Sequence, residues 1–517
     1  MAFPKHFYPQ PDAPRRTTNP LFAIAFLWGL AGVIILTLLY TEFGFSDSLS
    51  KFYLLPWILG AGAVIVAPSV YLIYKGTFDP FHPLVFPAWS YFFPGFFIGG
   101  LVLASGLSQP YFLFFIQDAH YNLPLTFVYV MLGFGGLTVG YVLPFGRVVG
   151  EYIRKRLPRW EWRTDQILVP SLFLFGLGIA NTILAFALGL IGFQKVEEIG
   201  AYDGLIFLVS LFWMQASFLL WLYIFKAERM TSLHYAIMAL LIAVSAAKTA
   251  FQGNRGGILH VLILIGFAFV LSKQRITLKH NLVGAVLVVL ALVVGMIYGT
   301  AFRASKGYSQ EVTGLGDIAQ NVATTGEKLT TLDLGTNLSN GFAALADRID
   351  SVSSLAVIVS NYEALAADEE KYGISDNIRT ELTTFFIPRA IWPDKPISIE
   401  PSKYADLYFN YPNNSFTMTP MGDLLRNFGP IGVPIGMIIL GILLRILYSA
   451  LIENQPFSFW RSTMYFMLFT SISYEGTYGL IVPYLLKVLV VAFIGILLIR
   501  FAVGRGDVGR KLRAAGA

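Results

Sequence analysis

Asn281-Leu282-Val283-Gly284-Ala285-Val286-Leu287-Val288-Val289-Leu290-Ala291-Leu292-Val293-Val294-Gly295-Met296-Ile297-Tyr298-Gly299-Thr300-Ala301-Phe302 holds no charged residue, and its apolar positions do not alternate with polar ones. As a helix it rises roughly 33 Å, enough to cross the roughly 30 Å hydrocarbon core of a bilayer. Backbone N–H and C=O groups find no water there, so only helices and closed barrels span it. A barrel strand must alternate, and this run does not. It reads as one transmembrane helix, and Arg303 directly after it opens the only long polar stretch of the chain, residues 303–427.

The same reading along the chain places twelve spans, at 21–40, 52–74, 84–104, 124–146, 167–193, 204–225, 232–251, 256–272, 281–302, 428–449, 459–477 and 479–500. The expected fold is all-α and polytopic, with a large, partly helical extracytoplasmic loop between the ninth and tenth spans. The chain divides into a membrane domain over 1–302, the loop over 303–427, and a membrane segment with a tail over 428–517.

Composition agrees. The chain is 56% hydrophobic and 13% charged, against about 25% charged in soluble domains, and its mean hydropathy is +0.63. The absence of cysteine excludes disulfides and thiolate metal sites or nucleophiles. A pI of about 9.1 does not mean nucleic acid, because the basic residues sit in loops on one side. Residues 21–40 are too long for a signal-peptide core and lead to no small-residue cleavage site, so they read as an uncleaved first span.

Lys5, Arg15 and Arg16, then Arg147, Arg154, Lys155, Arg156, Arg159 and Arg163, then Lys273, Arg275 and Lys279, and finally Arg505, Arg510, Lys511 and Arg513 are separated from one another by even numbers of spans, so they fall on one side. Short loops rich in lysine and arginine stay in the cytoplasm, which puts both termini inside. The opposite short loops carry only Lys51, Lys195 and Arg255. The turn at Arg255 and the 303–427 loop are then expected outside.

Gly253-Asn254-Arg255-Gly256-Gly257 joins two of those spans. Its glycines let the backbone turn sharply. A guanidinium at head-group level suits bidentate capture of phosphate, helped by the free N–H groups of the next helix; the alternative is an arginine that anchors a helix end to lipid phosphates. Lys248 either faces the protein interior or snorkels. His260, five residues into its span, is a hydrogen-bonded core histidine or a proton carrier. Lys487 is expected to pair with Glu475.

The polar loop adds Arg303, Arg348, Arg379, Arg389 and Arg426. Residues 341–367 have helical apolar spacing, while 306–340 and 368–380 read as connectors. The aromatic stretches 385–392 and 404–411, and the short segment 111–116, are expected at the bilayer surface. In Phe386-Ile387-Pro388-Arg389-Ala390-Ile391-Trp392-Pro393-Asp394-Lys395-Pro396 two prolines flank an arginine and a tryptophan, a pairing that fits phosphate and sugar or a rigid lid. Gly422-Asp423-Leu424-Leu425-Arg426-Asn427-Phe428-Gly429 brings a carboxylate and an arginine to the mouth of a span. The prolines of 78–83, continuing through Trp89 and Pro94, predict a kinked third span. There is no phosphate-binding P-loop and no metal-binding spacing, which argues against an ATP-driven pump and for chemistry without a metal or cofactor.

These features together, the 387–396 and 422–429 stretches above all, resemble the Wzy-type oligosaccharide repeat-unit polymerases of the O-antigen polymerase and ligase group. The likeness is loose over the whole layout and closer over residues 250–445. The group's arginine-x10-glycine pattern overlays Arg255 to Gly266 and Arg303 to Gly314. With 48 glycines in 517 residues an arginine meets it by chance about one time in eleven. The chain departs from the group at Asp423, where relatives carry glutamate, and at Leu425, where tyrosine is common.

The resemblance implies a glycosyltransferase in a bacterial cytoplasmic (inner) membrane that polymerises polyprenyl-pyrophosphate-linked oligosaccharide on the outer face. It would work beside other export components such as a flippase and a chain-length regulator. Arg255, Arg389, Arg426, Arg303, Arg348, Trp392 and Lys248 would bind pyrophosphate and glycan; Asp423, Glu475 or His260 would take the acceptor proton. The rivals are a ligase of the same group, a lipid-linked glycan transporter or flippase, and a non-enzymatic scaffold.

Overall fold

The structure is a computed structural model. It describes residues 48–108, 110–188, 190–191, 202–272, 274, 277–306, 315–331, 335–336, 349–387, 389, 391–395, 401–411, 416 and 418–515. The expected first span, Arg348 and most of 306–340 lie outside these residues. Among them there is no strand, and nine helices are long and apolar enough to cross a membrane.

In chain order the helices are α1 (Leu55–Tyr74), α2 (Val85–Ala104), α3 (Pro110–Phe114), α4 (Ala119–Val142), α5 (Pro144–Arg156), α6 (Thr164–Ala187), α7 (Asp203–Phe225), α8 (Ser232–Gln252), α9 (Gly257–Leu271), α10 (Leu278–Lys306) and α11 (Leu315–Thr331). There follow α12 (Ser351–Asn361), α13 (Ala366–Tyr372), α14 (Asn377–Thr384), α15 (Pro401–Phe409), α16 (Thr419–Leu451), α17 (Phe459–Thr470) and α18 (Tyr478–Ala515). The nine spanning candidates are α1, α2, α4, α6, α7, α8, α10, α16 and α18.

Two expected spans come out differently. The run at 256–272 forms α9, which is shorter than the spanning candidates. The run at 459–477 forms α17 and then residues 471–477, which are not helical. Ser471 and Ser473 hydrogen-bond nearby backbone groups and compete with helical hydrogen bonds, which an apolar run read by composition does not register.

α2 is wound as a π-helix from Ala88 to Ile98. Pro94 has no N–H to donate, so the turn around it widens instead of simply kinking. The widened face carries Gly95 and Gly99, and the backbone before α12 docks there. A Cβ on Gly99 would stand 2.5 Å from the Ile349 carbonyl oxygen, and one on Gly95 2.9 Å from Ser351 Oγ. Gly99→Ala is therefore expected to cost about 1–3 kcal/mol by overpacking, read as a lower melting temperature in detergent. An unchanged melting temperature would mean that α12 does not dock on this groove.

This docking corrects the picture of a loop lying wholly outside the bundle. α12 is buried almost throughout, from Ser351 to Val359, among α2, α4 and α16. Asp350 caps it: its carboxylate accepts from the Ser353 N–H at 2.9 Å and the Ser353 hydroxyl at 2.5 Å. At the far end Asn361 Nδ2 donates to the Phe115 carbonyl at 2.8 Å and its Oδ1 accepts from Gln117 at 2.9 Å. Tyr404, Tyr408 and Phe409, expected at the bilayer surface, are likewise buried. The short helix α3 is covered in part, with Phe112 packed edge-on to Phe409 at 5.6 Å.

α4 and α5 run parallel to α16 at close range. Gly133, Gly136, Gly140, Gly146 and Gly150 line one stripe, and a Cβ on Gly140 would fall 2.0 Å from the Ile438 carbonyl oxygen. Small residues three to six apart let backbones approach where apolar packing and not water drives association. α16 is broken at Gly429 (φ 68°, ψ −167°), directly before Pro430. An unbroken helix would hold positions 424 and 436 about 18 Å apart. Here the Leu424 side chain reaches within 2.3 Å of the Cβ site of Gly436, so residues 419–428 fold back on the rest of α16. Phe428, Ile431, Ile435 and Ile439 lie exposed along its outer side, a stripe suited to lipid.

Candidate functional site

Residues 419–428 gain their geometry from that break, and it sets Asp423 and Arg426 among four other segments. Asp423 is 0% exposed. Its Oδ1 accepts from Arg426 Nε at 3.2 Å and Asn427 Nδ2 at 3.2 Å. Its Oδ2 accepts from the Gly479 N–H of α18 at 3.0 Å and Asn377 Nδ2 of α14 at 3.3 Å. The Arg426 guanidinium meets Glu369 Oε2 of α13 at 2.9 Å, donates to the Ile374 carbonyl at 3.0 Å, and also bonds Asn377 Oδ1. Glu369 in turn accepts from the Tyr408 hydroxyl of α15 at 2.7 Å.

Two carboxylates and one guanidinium so enclosed form a tie between α13, α14, α15, α16 and α18. A general base must come within hydrogen-bond reach of the proton it takes. Asp423 spends both oxygens on protein donors and shows no surface, so in this arrangement it ties these helices together. Glu369, Asn377 and Tyr408 were not visible as site residues in sequence. Glu369 and Asn377 showed only as a carboxylate and an amide inside a connector read as polar, and Tyr408 as part of an aromatic stretch assigned to the bilayer surface.

α14 packs on the start of α18: a Cβ on Gly479 would lie 3.1 Å from Ile378 Cα. The chain after α14 then brings Lys395 within electrostatic reach of Arg389 and of Lys487, which sits two turns, about 12 Å, beyond Gly479. Burial, then repulsion from Lys487, pulls the Lys395 ammonium below its usual value; Glu381 opposes this and Arg389 adds to it. The cations brace their own loop, Arg389 Nη1 donating to the Pro393 carbonyl and Lys395 Nζ to the Ile387 carbonyl, each at 3.2 Å. Around them Phe386, Ile391 and Trp392 are 64%, 77% and 37% exposed. Lys487, expected to pair with Glu475, lies within electrostatic reach of Lys395. Three cations and one carboxylate within electrostatic reach of one another through Lys395, in a segment that also exposes apolar side chains, can hold a multiply charged anion attached to an apolar body.

Arg255 lies apart from both groups. α8 ends at Gly253 in the left-handed region (φ 56°), and Asn254 Oδ1 accepts from the Gly256 N–H at 2.9 Å, so the tight turn forms as expected. The turn is pressed into a notch of α10. A Cβ on Gly295 would stand 2.2 Å from the Arg255 carbonyl oxygen, and one on Gly299 2.3 Å from Arg255 Cγ. Along α10 these glycines lie roughly 9–15 Å short of Ser305, where its apolar window ends. Arg255 is therefore packed into α10 short of that helix's end at Lys306.

His260 is exposed and its Nδ1 bonds the Gly256 carbonyl oxygen in the same turn at 2.8 Å. Lys248 neither snorkels nor pairs with a carboxylate: its Nζ lies 3.9 Å from the Trp213 ring centroid, a cation–π contact. Arg303 is exposed near the end of α10. Glu475 belongs to the non-helical 471–477 stretch, where its N–H donates to Ser473 Oγ at 3.3 Å, and its carboxylate is within electrostatic reach of Tyr91. The structure thus joins Asp423 with Arg426, and sets Arg389 and Lys487 within electrostatic reach of Lys395. Among the described residues it brings Arg255, His260 and Lys248 into contact with neither group.

No protein-family model, no curated protein and no solved structure matches this chain.

Proposed function

We propose that this chain is a membrane glycosyltransferase that polymerises polyprenyl-pyrophosphate-linked oligosaccharide repeat units on the extracytoplasmic face of a bacterial inner membrane. In this reading it has twelve spans and cytoplasmic termini. The observation that carries it is that Lys395 lies within electrostatic reach of Arg389 and Lys487, in a segment that exposes Trp392, Phe386 and Ile391. The pyrophosphate of the donor sits on the three cations, and the aromatic and aliphatic side chains meet sugar and prenyl surface.

The acceptor hydroxyl attacks the anomeric carbon of the donor as the bond to the pyrophosphate oxygen breaks. The cations stabilise the charge that builds on the departing diphosphate. The acceptor proton goes to a carboxylate, for which Glu475, in an unwound stretch leading into α18, is the best placed of the expected bases. Confinement of both lipid-linked substrates to one leaflet supplies orientation. The Asp423–Arg426 tie holds α14 against α18, and so keeps Arg389 and Lys395 near Lys487.

A second reading, a transporter or flippase of the same lipid-linked glycan, is favoured by the break at Gly429 and by the unwound residues 471–477 between α17 and α18. Interrupted helices near the membrane interior are common at transporter binding sites. Reconstitution separates the two. Purified protein in lipid vesicles with a polyprenyl-pyrophosphate-linked oligosaccharide, no nucleotide and a chelator is expected to produce longer glycans. Substrate that crosses the bilayer without growing would replace the polymerase with the transporter. Extension only onto a different, added lipid acceptor would mean a ligase. No extension and no movement would leave a scaffold.

A further inference from the structure

A cavity of about 540 Å³ opens between the chain linking α5 to α6 and the chain linking α16 to α17. It lies at the opposite end of α16 and α18 from the Asp423 tie. Four cations line it, Arg154, Lys155, Arg159 and Arg461, against the single carboxylate of Glu161. Arg154 and Arg461 come from different segments yet lie within electrostatic reach of each other. Arg461 Nη1 and Nη2 are held by Gln455 Oε1 at 2.6 Å and the Pro456 carbonyl at 3.3 Å, while its Nε is buried with no hydrogen-bond partner.

The other wall is aromatic. Trp160 and Trp460 pack at 5.6 Å and 60°, Trp162 stands beside them, and the Arg500 guanidinium lies 4.3 Å from the Trp160 ring centroid. Tryptophans mark the level where spans leave the apolar core. A concentration of guanidinium groups at that level, with an unused N–H among them, fits a phosphate whose attached chains continue into the bilayer.

We propose that this cavity binds the phosphate of an anionic phospholipid, with the tryptophans packed on its glycerol and upper acyl segments. It involves none of the residues assigned to glycan chemistry, and it stands whether or not that reading does. Purified protein is delipidated in detergent and titrated with phosphatidylglycerol or phosphatidylcholine while its melting temperature is followed. Phosphatidylglycerol is expected to raise the melting temperature and phosphatidylcholine to leave it unchanged. In the Arg154→Gln, Arg461→Gln double variant the apparent affinity is expected to fall at least about tenfold. Arg147→Gln, at an exposed arginine paired with Glu151 on the same helix, should behave as wild type.

Equal stabilisation by both lipids, or a shift that survives in the double variant, overturns the proposal. So does full stabilisation by inorganic phosphate alone, which would make the ligand a soluble anion. Native mass spectrometry of the wild-type protein needs no variant: a retained phosphatidylglycerol adduct is expected, and its absence overturns the assignment even if the double variant fails to fold.

Discussion

Arg426→Ala is expected to destabilise the purified protein by about 3–5 kcal/mol, the cost of removing one partner from a buried ionic group. The magnitude follows from what remains. Asp423 and Glu369 would stay enclosed as two carboxylates without their shared cation, and Ile374 and Asn377 would each lose a donor. The companion experiment removes charge from the other side. Asp423→Asn combined with Glu369→Gln on the Arg426→Ala background should recover part of the loss, because the variants share one network and do not add. Thermal unfolding in detergent checks both. A loss under about 1 kcal/mol for Arg426→Ala would mean that the tie is open to water and does not hold these helices together.

Lys487→Gln is the second large effect, and it falls on activity. One preorganised charged group at a developing negative charge is worth about 10²–10³ in rate. The variant is expected to lose about that much polymer formation in the reconstituted reaction, with little change in melting temperature, since the side chain has a cationic neighbour and loses no ion pair. Arg389→Gln should act in the same direction. Arg255→Ala should differ: its side chain fills the notch at Gly299, so most of its effect should appear as lost stability. A normal rate for Lys487→Gln together with a rate loss for Arg255→Ala at unchanged stability would move the diphosphate site to the 253–257 turn.

The turn itself was legible because its determinants are local: Gly253 at positive φ and an asparagine that bonds its own backbone two residues on. Its depth was not, because that depends on Gly295 and Gly299 forty residues away. The 422–429 stretch drew attention as a carboxylate–arginine pair, and the pair exists at i, i+3. Its enclosure comes from Glu369, Asn377 and Gly479, none adjacent in the chain. Lys487 read as a partner of the nearby Glu475; the fold puts Lys395 within its electrostatic reach, since α14 packs on the start of α18.

Composition and periodicity alone determined that this is a helical protein with several helices able to cross a membrane, because an apolar backbone segment can satisfy its hydrogen bonds only within itself, a constraint each run meets independently of the others. Tertiary packing alone decided that the polar region sends α12 back among the spans, that Asp423 is a fastening between helices, and that three cations of the 385–487 region share one neighbourhood. Those outcomes rest on close approach at Gly95 and Gly99, on the backbone break at Gly429 and on charge pairing between distant segments, and they depend on shape that is set only when the helices meet.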